Sequence, residues 1–198
     1  MHLKHAINHT ILIEKSKFIC YMKDVASEEE YRDYLSEIRK LHHDATHVCS
    51  ALICGNIRRS SDDGEPSGTA GVPMLNVLEK NGMDGVCALV VRYFGGIKLG
   101  AGGLIRAYSS SVAETLNEAI KVEDVFYPRY EITLPYDLSS KLERYLRKEA
   151  LALDCSYDID VTFTFALDEQ KKLETIKELT KGLLPKQIGS QKVEKIVE

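Results

Sequence analysis

The sequence predicts an α+β protein with two domains, residues 1–126 and 127–198. Segments in which apolar residues alternate, as in strands, are interspersed with segments of helical 3.6-residue periodicity. This pattern restarts at Tyr130, after the stretch KVEDVFYPR. The length of 198 residues suits one or two domains, because a domain has roughly 100–200 residues.

The first domain is predicted to open with two strands, HTILIEKS and KFICYMKDV, and a helix over SEEEYRDYLSEIRKLHHD. Ser27 is the expected N-cap of this helix, because Glu30 follows three residues later in a capping-box pattern. A third strand, THVCSALICG, ends at Gly55. A short helix over VPMLNVLEKNG follows, with Pro73 in its first turn and Gly82 after its end.

The next strand, GVCALVVRYF, is apolar on both faces and is therefore predicted to lie in the centre of a sheet. Its two-residue period places one set of side chains on the same face: Val86, Ala88, Val90, Arg92 and Phe94. The glycine segment, GGIKLGAGG (residues 95–103), leads into a long helix over LIRAYSSSVAETLNEAI. The apolar positions of that helix recur every four residues: Leu104, Tyr108, Val112, Leu116 and Ile120.

The second domain is predicted to have the βαββαβ order of the ferredoxin-like split motif. The strand YEITLPY precedes a helix over DLSSKLERYLRKEA, for which Asp137 is a candidate N-cap. A strand near residues 153–157 comes next, and then the alternating strand DIDVTFTFAL. The residues of this strand expected to face the core are Val161, Phe163, Phe165 and Leu167. A helix over DEQKKLETIKELTKG and a strand over QIGSQKVEKIV complete the order.

Composition and charge disfavour several classes of protein. The net charge of −4 and the pI near 5.9 do not favour broad electrostatic capture of nucleic acid, but they leave room for a local basic patch. No apolar run reaches the ~18–20 residues of a membrane helix, and MHLKHAINHT has no signal-peptide core. We therefore expect a cytoplasmic protein without a membrane partner. Five cysteines without a C-x-x-C pair indicate buried thiols rather than disulfides or a zinc cluster.

The acidic segment, SSDDGEPSGTAGVP (residues 60–73), cannot form a helix, because its glycines and prolines oppose one. Arg92 is costly to bury at a strand end unless it is paired. Its natural partners are the acids of this segment: Asp62, Asp63 and Glu65. Two interpretations follow. Either the ion pairs only hold the segment in place, or the segment held in this way lines a cleft that recognises a partner.

The glycine segment runs from a strand into a helix, where exposed backbone N–H groups can bind an anion. Lys98 and Arg106 add positive charge nearby, so a phosphate of a nucleotide or of an RNA backbone is a candidate ligand. The segment matches neither the Walker pattern nor G-x-G-x-x-G in register. Its glycines have a second interpretation, as positions of close helix–strand packing.

No catalytic residue, metal or cofactor is expected. The acids lack the spacing of an EF-hand, and Ser67 and Thr69 lack the G-x-S-x-G context of a nucleophile. Three histidines span the predicted crossing from helix to strand, which breaks the geometry of a zinc site: His42, His43 and His47. We expect solvated histidines at the helix end, with His47 facing the cleft.

Two stretches resemble the signature of the IMPACT/YigZ family: SDDGEPSGTAGVPML, and VVRYFGGIKLGAGGLIRAYSSS at the expected separation. ATHVCSALICG is similar to the family's preceding strand, with His47 in the family's histidine position. Carried over by position, the resemblance implies a set of candidate binding residues: His47, Asp62, Asp63, Glu65, Ser67, Thr69, Arg92, Tyr93, Gly95, Gly96, Lys98, Gly100, Gly102, Gly103 and Arg106.

The resemblance also implies a fold. The N-terminal domain would be a two-layer α/β sandwich, βββαβα-like, related to a ribosomal-protein domain, to elongation factor G domain IV and to the GHMP kinases. The C-terminal domain would be of the ferredoxin-like type of elongation factor G domain V. Eukaryotic members of the family regulate translation through a further N-terminal domain, so that particular partnership is not expected here.

The expected function is that of a non-enzymatic module that binds RNA, the ribosome or a translation factor in the cleft between the two segments. Lys98, Arg106 and the loop amides would hold phosphate, and Tyr93 or Phe94 would stack on a base if exposed. Core packing is the competing expectation, chiefly for Phe94. The alternative function is that of an enzyme or binder of a phosphorylated small molecule or nucleotide that uses residues 95–103.

Overall fold

The computed structural model describes residues 1–197, and these residues confirm the predicted α+β class. They form two compact units. The first contains residues 1–123 and the chain end from Ile196, and the second contains residues 124–195. The division therefore lies after Glu123, close to the position at which the sequence pattern restarts.

The first unit contains three helices and an antiparallel sheet. Its strands are β1 (His2–Leu3), β2 (Ile7–Ile13), β3 (Ser16–Asp24), β4 (His47–Cys54), β5 (Ile57–Ser61) and β6 (Val86–Tyr93). Its helices are α1 (Glu28–Leu41), α2 (Gly71–Lys80) and α3 (Gly100–Glu118). The sheet has the order β2-β3-β6-β4-β5, and β1 pairs instead with the start of β7 (Lys121–Leu134).

Helices cover both faces of this sheet, so the first unit has three layers and the predicted two-layer sandwich is wrong. On one face, alternate residues of β6 from Val86 to Val90 pack with α2 and α3. On the other face, residues from Cys87 to Val91 pack with α1. The strand lies between β3 and β4 and is buried on both sides, as its apolar sequence predicts. A strand of this kind needs a covering layer on each face.

The predicted N-cap of α1 is present. The Ser27 hydroxyl accepts a hydrogen bond from the Glu30 amide at 3.2 Å, which satisfies a backbone donor that the first turn of a helix leaves free. The Glu30 carboxylate accepts a bond at 2.9 Å from the amide of Ala26, the residue before the cap, rather than from Ser27 as in a full capping box.

Two features near the candidate site escaped prediction. The strand β5 was missed because Arg58 and Arg59 are exposed beside Ile57, a pattern that an edge strand paired only with β4 tolerates. The helix α3 begins at Gly100 rather than at Leu104, so its first turn is made largely of glycine.

The second unit continues β7 and has the predicted order βαββαβ. It adds α4 (Tyr136–Glu149), β8 (Ala152–Tyr157), β9 (Val161–Ala166), α5 (Lys172–Leu179) and β10 (Lys186–Val197). The strand order is β10-β7-β9-β8. Val161, Phe163 and Phe165 lie in the core, as their alternation predicts. Pro135, and not Asp137, is the N-cap of α4, because the helix begins one residue before Asp137.

The five cysteines are free thiols. Burial raises the pKa of Cys20, Cys49 and Cys87 to about 12, so these thiols stay protonated near neutral pH. Within residues 1–197, no helix has both the length and the apolar character needed to cross a membrane.

Candidate functional site

A buried ion pair joins the acidic segment to β6. Arg92 Nη1 donates a hydrogen bond to Glu65 Oε1 at 2.6 Å, and the two side chains are only 6% and 3% exposed. The hydroxyl of Tyr108 in α3 donates to the same oxygen at 2.7 Å. Burial raises the pKa of Tyr108 far above its usual value, so the hydroxyl keeps its proton. The pairing predicted for Arg92 is present, with Glu65 as its partner.

The guanidinium of Arg92 lies beside two aromatic rings and has a buried nitrogen, Nε, without a hydrogen-bond partner within residues 1–197. It lies 5.4 Å from the ring centroids of Phe18 and of Phe94, which are cation–π distances. Its buried Nε finds no hydrogen-bond acceptor within residues 1–197. A buried donor without an acceptor costs about 1–3 kcal/mol. Because this nitrogen is buried, the folded protein itself bears that cost.

Asp62 organises the backbone of the acidic segment. Its carboxylate accepts hydrogen bonds from the amides of Gly68, Ala70 and Gly71 at 2.8, 3.0 and 2.8 Å. Burial opposes ionisation, but these three bonds outweigh it and hold the pKa of Asp62 below its usual value. The N-cap residue of α2, Ala70, has no capping side chain, so Asp62 caps this helix from outside.

Other polar residues of the acidic segment also bond within the protein. The carboxylate of Asp63 accepts hydrogen bonds from the Val48 amide at 2.7 Å and from Arg39 Nη2 at 2.8 Å. The Thr69 hydroxyl donates to a backbone carbonyl of the same segment at 2.6 Å. Ser67 is exposed. The predicted site residues Asp63 and Thr69 therefore hold the segment itself.

The backbone sets the tautomer of His47, the first residue of β4. Its Nδ1 lies 2.7 Å from the carbonyl oxygen of Asp63. A carbonyl only accepts, so Nδ1 carries the proton and donates it. In the neutral ring Nε2 is therefore the unprotonated nitrogen, and it lies 3.9 Å from Glu65 Oε2.

The glycines of the glycine segment have different roles. A Cβ at Gly95 would lie 2.0 Å from the backbone carbon of Lys15, so only glycine lets the β2–β3 turn pack here. Gly96 and Gly100 have positive φ angles of 86° and 69°, in open space. The remaining two glycines lie in the first turn of α3: Gly102 and Gly103. Gly95 is thus a packing residue, as the second interpretation of the segment anticipates.

The N-terminus of α3 is not capped by a side chain. Its N-cap residue, Leu99, makes no capping bond, and no acidic residue lies in the first turn. The first N–H groups of a helix lack intrahelical acceptors, and the helix dipole adds a positive potential there. Lys98 is exposed immediately before the helix. This helix end is suited to an anion.

A cavity of about 350 Å³ lies between the acidic segment and the N-terminus of α3. The structure brings five of the predicted site residues to it: His47, Glu65, Arg92, Lys98 and Gly100. The rest of its lining is Thr46, Pro66, Phe94, Leu99, Ala101 and Leu104. Apolar walls thus surround a few converging polar groups, which is the usual composition of a ligand pocket.

Arg106 lies at a second opening and not in the cavity. It lines a neighbouring groove of about 430 Å³. Lys98 and Leu99 line both the groove and the cavity. The expectation that Lys98 and Arg106 hold phosphate in one cleft is therefore corrected, because they border two adjacent openings.

Tyr93, a predicted site residue, does not line the cavity, whereas Phe94 does. The Tyr93 hydroxyl bonds His42 Nδ1 at 2.8 Å and Asp44 Oδ1 at 3.1 Å, away from the cavity lining. Phe94 is 46% exposed and lines the cavity. The expected core position of Phe94 is wrong because β6 ends at Tyr93, so that Phe94 has already left the sheet.

The sequence agrees with known proteins over most of its length. A family model for the Impact N-terminal domain matches residues 14–116. IMPACT family member YvyE of Bacillus subtilis (strain 168) is 45% identical over 187 residues, which cover 91% of this chain and 86% of that protein. The chain belongs to the IMPACT family. IMPACT family member YigZ of Escherichia coli (strain K12) is 34% identical over 168 residues, 82% of each chain.

The fold of this IMPACT family protein recurs in a solved structure, described as the crystal structure of a hypothetical protein. The two structures align with a TM-score of 0.59 and 28% sequence identity. The alignment covers 96% of this chain and 94% of the other. The likeness thus extends over both units.

Two of the three clustered histidines of this IMPACT family protein, His42 and His47, make hydrogen bonds within the protein. In the part of the chain that the structure describes, no three His, Cys, Asp or Glu side chains are grouped to hold a metal ion. His42 lies 2.8 Å from the hydroxyls of both Tyr21 and Tyr93, and burial lowers its pKa. His43 is exposed.

Sequence reasoning missed two contributions to the site. Tyr108 was placed in the apolar line of α3 and within the family signature but not among the binding residues, although a buried tyrosine hydroxyl needs a hydrogen-bond partner and thus signals a polar contact. Leu99 and Leu104 form walls of the cavity. The sequence did not indicate that these two leucines line a cavity, because apolar residues at the start of a helix more often pack into a core.

Proposed function

We propose that this protein is a non-enzymatic binding module that acts in translation control and binds single-stranded RNA through the cavity. The N-terminus of α3 and Lys98 hold a phosphate, and Phe94 stacks on a base. The connection with translation comes from family membership, since eukaryotic IMPACT proteins regulate translation. The same proposal places the protein in the cytoplasm.

The observation that carries the proposal is an anion-seeking helix end at the cavity. The α3 N-terminus lacks a capping side chain, and its unpaired N–H groups are stabilised by an anionic acceptor. Lys98 adds an exposed cation at the same lining. RNA offers such an anion at every nucleotide.

Cavity size and net charge limit the ligand to a short segment. The volume of about 350 Å³ is near the lower end of the roughly 300–1,000 Å³ typical of ligand pockets. The net charge of −4 gives no support for binding a long tract. Recognition therefore concerns about one nucleotide, for which stacking on an aromatic ring contributes about 1–3 kcal/mol.

A finer fold relationship is part of the same proposal. We assign the sheet of the first unit with α2 and α3 to the fold group of the ribosomal-protein domain and elongation factor G domain IV, with α1 as an added layer. We assign the second unit to the type of domain V. The βαββαβ order and the β10-β7-β9-β8 strand order support the second assignment. This kinship favours a ribosome or a translation factor as the setting in which the RNA is met.

Binding of a short RNA by matched lysine variants tests the proposal. A hexamer labelled at its 5′ end is titrated with the wild type, with Lys98→Gln and with Lys80→Gln, and fluorescence anisotropy is read. Lys80 is exposed in the last turn of α2 and lines neither opening. We expect about tenfold weaker binding for Lys98→Gln, as for one charged hydrogen bond, and no change for Lys80→Gln. Absence of binding, or equal effects of the two variants, contradicts the proposal.

A phosphorylated small molecule is the second candidate ligand, and the single-nucleotide size of the cavity favours it. A nucleoside monophosphate that competes with the hexamer at equal affinity, with little dependence on salt, would support this alternative. A hexamer that binds more tightly and loses affinity as salt rises supports RNA.

A further inference from the structure

His47 and Glu65 present two hydrogen-bond acceptors to the same cavity. The Asp63 carbonyl keeps the proton of His47 on Nδ1, so Nε2 offers a lone pair. Glu65 Oε1 already receives hydrogen bonds from Arg92 and Tyr108. Its Oε2 lies 3.9 Å from His47 Nε2, and no hydrogen bond reaches it from residues 1–197.

These two acceptors lack a donor between them. Neutral His47 has no proton on Nε2 to give, and 3.9 Å is too long for a hydrogen bond. A ligand with two adjacent O–H groups would satisfy both atoms at ordinary distances of about 2.7–2.8 Å. Vicinal hydroxyls form such a group, because each donates one hydrogen bond.

The cavity has the opposite polarity on its other side. There the lining comes from Lys98, Gly100 and Ala101, at the helix end whose backbone amides donate. A complementary ligand therefore carries O–H donors at one end and an anion at the other. A single ribonucleotide has this arrangement, with sugar hydroxyls on one side and a 5′ phosphate on the other.

We infer that the His47–Glu65 acceptor pair binds the free 2′,3′-diol of a ribonucleotide, so that the cavity takes the 3′-terminal nucleotide of an RNA. This inference rests on the proposed function and specifies which part of the RNA enters. Within an RNA chain a free diol exists only at the 3′ end. The 2′ hydroxyl is absent from DNA, so the acceptor pair also distinguishes RNA from DNA.

Three hexamers that differ only at the 3′ end test the inference. One ends in a free diol, one in a 2′-deoxynucleotide and one in a 3′ phosphate, and each is labelled at its 5′ end. We expect about tenfold weaker binding without the 2′ hydroxyl, as for one lost hydrogen bond, and a larger loss with the 3′ phosphate beside Glu65. Equal binding of all three overturns the inference and leaves the proposed function standing. Binding of none overturns the proposed function and the inference with it.

A variant of His47 tests the acceptor itself. In His47→Asn the side-chain amide can still donate to the Asp63 carbonyl, but no atom replaces Nε2. We expect the ratio of diol to deoxy affinity to fall from about tenfold to about one, with an unchanged thermal unfolding midpoint. The control is His43→Asn, at an exposed histidine outside the cavity, which should keep the ratio. An unchanged ratio in His47→Asn overturns the inference.

Competition by adenosine monophosphate separates the two sources of a diol. The free nucleotide carries the same diol and phosphate but no RNA chain. Competition at least tenfold weaker than that of an unlabelled hexamer supports the RNA 3′ end. Competition equal to that of the hexamer overturns it in favour of a free nucleotide.

Discussion

The acidic and glycine segments border the same cavity, but their polar groups have different partners. In the acidic segment, the carboxylates of Asp62, Asp63 and Glu65 all accept hydrogen bonds from the protein. At the glycine segment, Lys98 is exposed and α3 begins without a capping side chain. The polar groups of the acidic segment thus bond within the protein and hold the segment in place. Those of the glycine segment are left available to a ligand.

The comparison shows that glycine content alone does not indicate a ligand site. Gly68 has a φ of 75° and donates its amide to Asp62, so it shapes the acidic segment. Gly95 permits close packing, whereas Gly100 opens the helix end at the cavity. The two interpretations of the acidic segment are also compatible, since the ion pair that holds Glu65 leaves its second oxygen beside His47.

Removing the buried carboxylate of Glu65 releases the acidic segment from β6. Of the variants considered, it has the largest expected effect on the free energy of unfolding. Glu65→Gln leaves the charge of Arg92 unpaired at a side-chain exposure of 6%. We expect the free energy of unfolding to fall by about 3–5 kcal/mol. Urea unfolding followed by circular dichroism measures this change.

The double variant Glu65→Gln with Arg92→Met is the matched control. It removes both charges and leaves an amide oxygen to accept the Tyr108 hydrogen bond. We expect it to recover at least half of the loss, because an uncharged pair has no desolvation penalty of this kind. A single variant that costs under about 1 kcal/mol would show that the ion pair does not hold the segment.

Alanine substitutions at two adjacent glycines, Gly95 and Gly96, test whether the glycine segment contains both packing and open positions. Gly95→Ala would place its Cβ 2.0 Å from the backbone carbon of Lys15, so the β2–β3 turn must move. We expect a loss of about 3 kcal/mol. Gly96→Ala meets only the strain of its positive φ of 86°, in open space, and should cost about 1 kcal/mol. Equal unfolding midpoints for the two variants would contradict this assignment.

Asp62→Asn tests the outside cap of α2. The amide keeps one acceptor oxygen but presents N–H groups where the carboxylate accepted the Gly68 amide. We expect a loss of about 2 kcal/mol in the free energy of unfolding at pH 7.

The same variant should change the response to acid. Because the pKa of Asp62 is lowered in the folded state, the carboxylate stabilises the protein fully above the ordinary pKa of about 4. This contribution is lost as the pH falls through the lower folded value. The difference between wild type and Asp62→Asn should therefore shrink progressively below about pH 4. A constant difference from pH 7 to pH 3 would rule out this linkage.

Lys98→Gln has the smallest expected effect on folding. An exposed lysine outside any ion pair of residues 1–197 contributes within about ±0.5 kcal/mol. The thermal unfolding midpoint should match that of the wild type, while RNA binding weakens. A stability loss above about 1 kcal/mol would make Lys98 structural and would remove the contrast between the two segments.

Features set by strong local patterns were predictable from sequence. The apolar run of β6 predicted its central place in the sheet, and burial of Arg92 predicted a carboxylate partner because an unpaired buried charge is so costly. The tautomer of His47 was not predictable. It depends on the Asp63 carbonyl facing the ring, at a residue with a left-handed φ of 45°. The exposure of Phe94 depends on β6 ending one residue earlier, which alternation does not show.

The position of β6 has a consequence for the order in which the protein is made. It is the last strand of its sheet along the chain, yet it lies between β3 and β4. While the ribosome synthesises the chain, the β2–β3 and β4–β5 hairpins emerge first and share no partner until β6 follows. The ion-pair partner of Glu65, Arg92, is likewise synthesised 27 residues later. Until β6 is made, the nascent chain therefore exposes the unpaired edges of β3 and β4. Such edges are prone to aggregation, and chaperones bind chains at this stage.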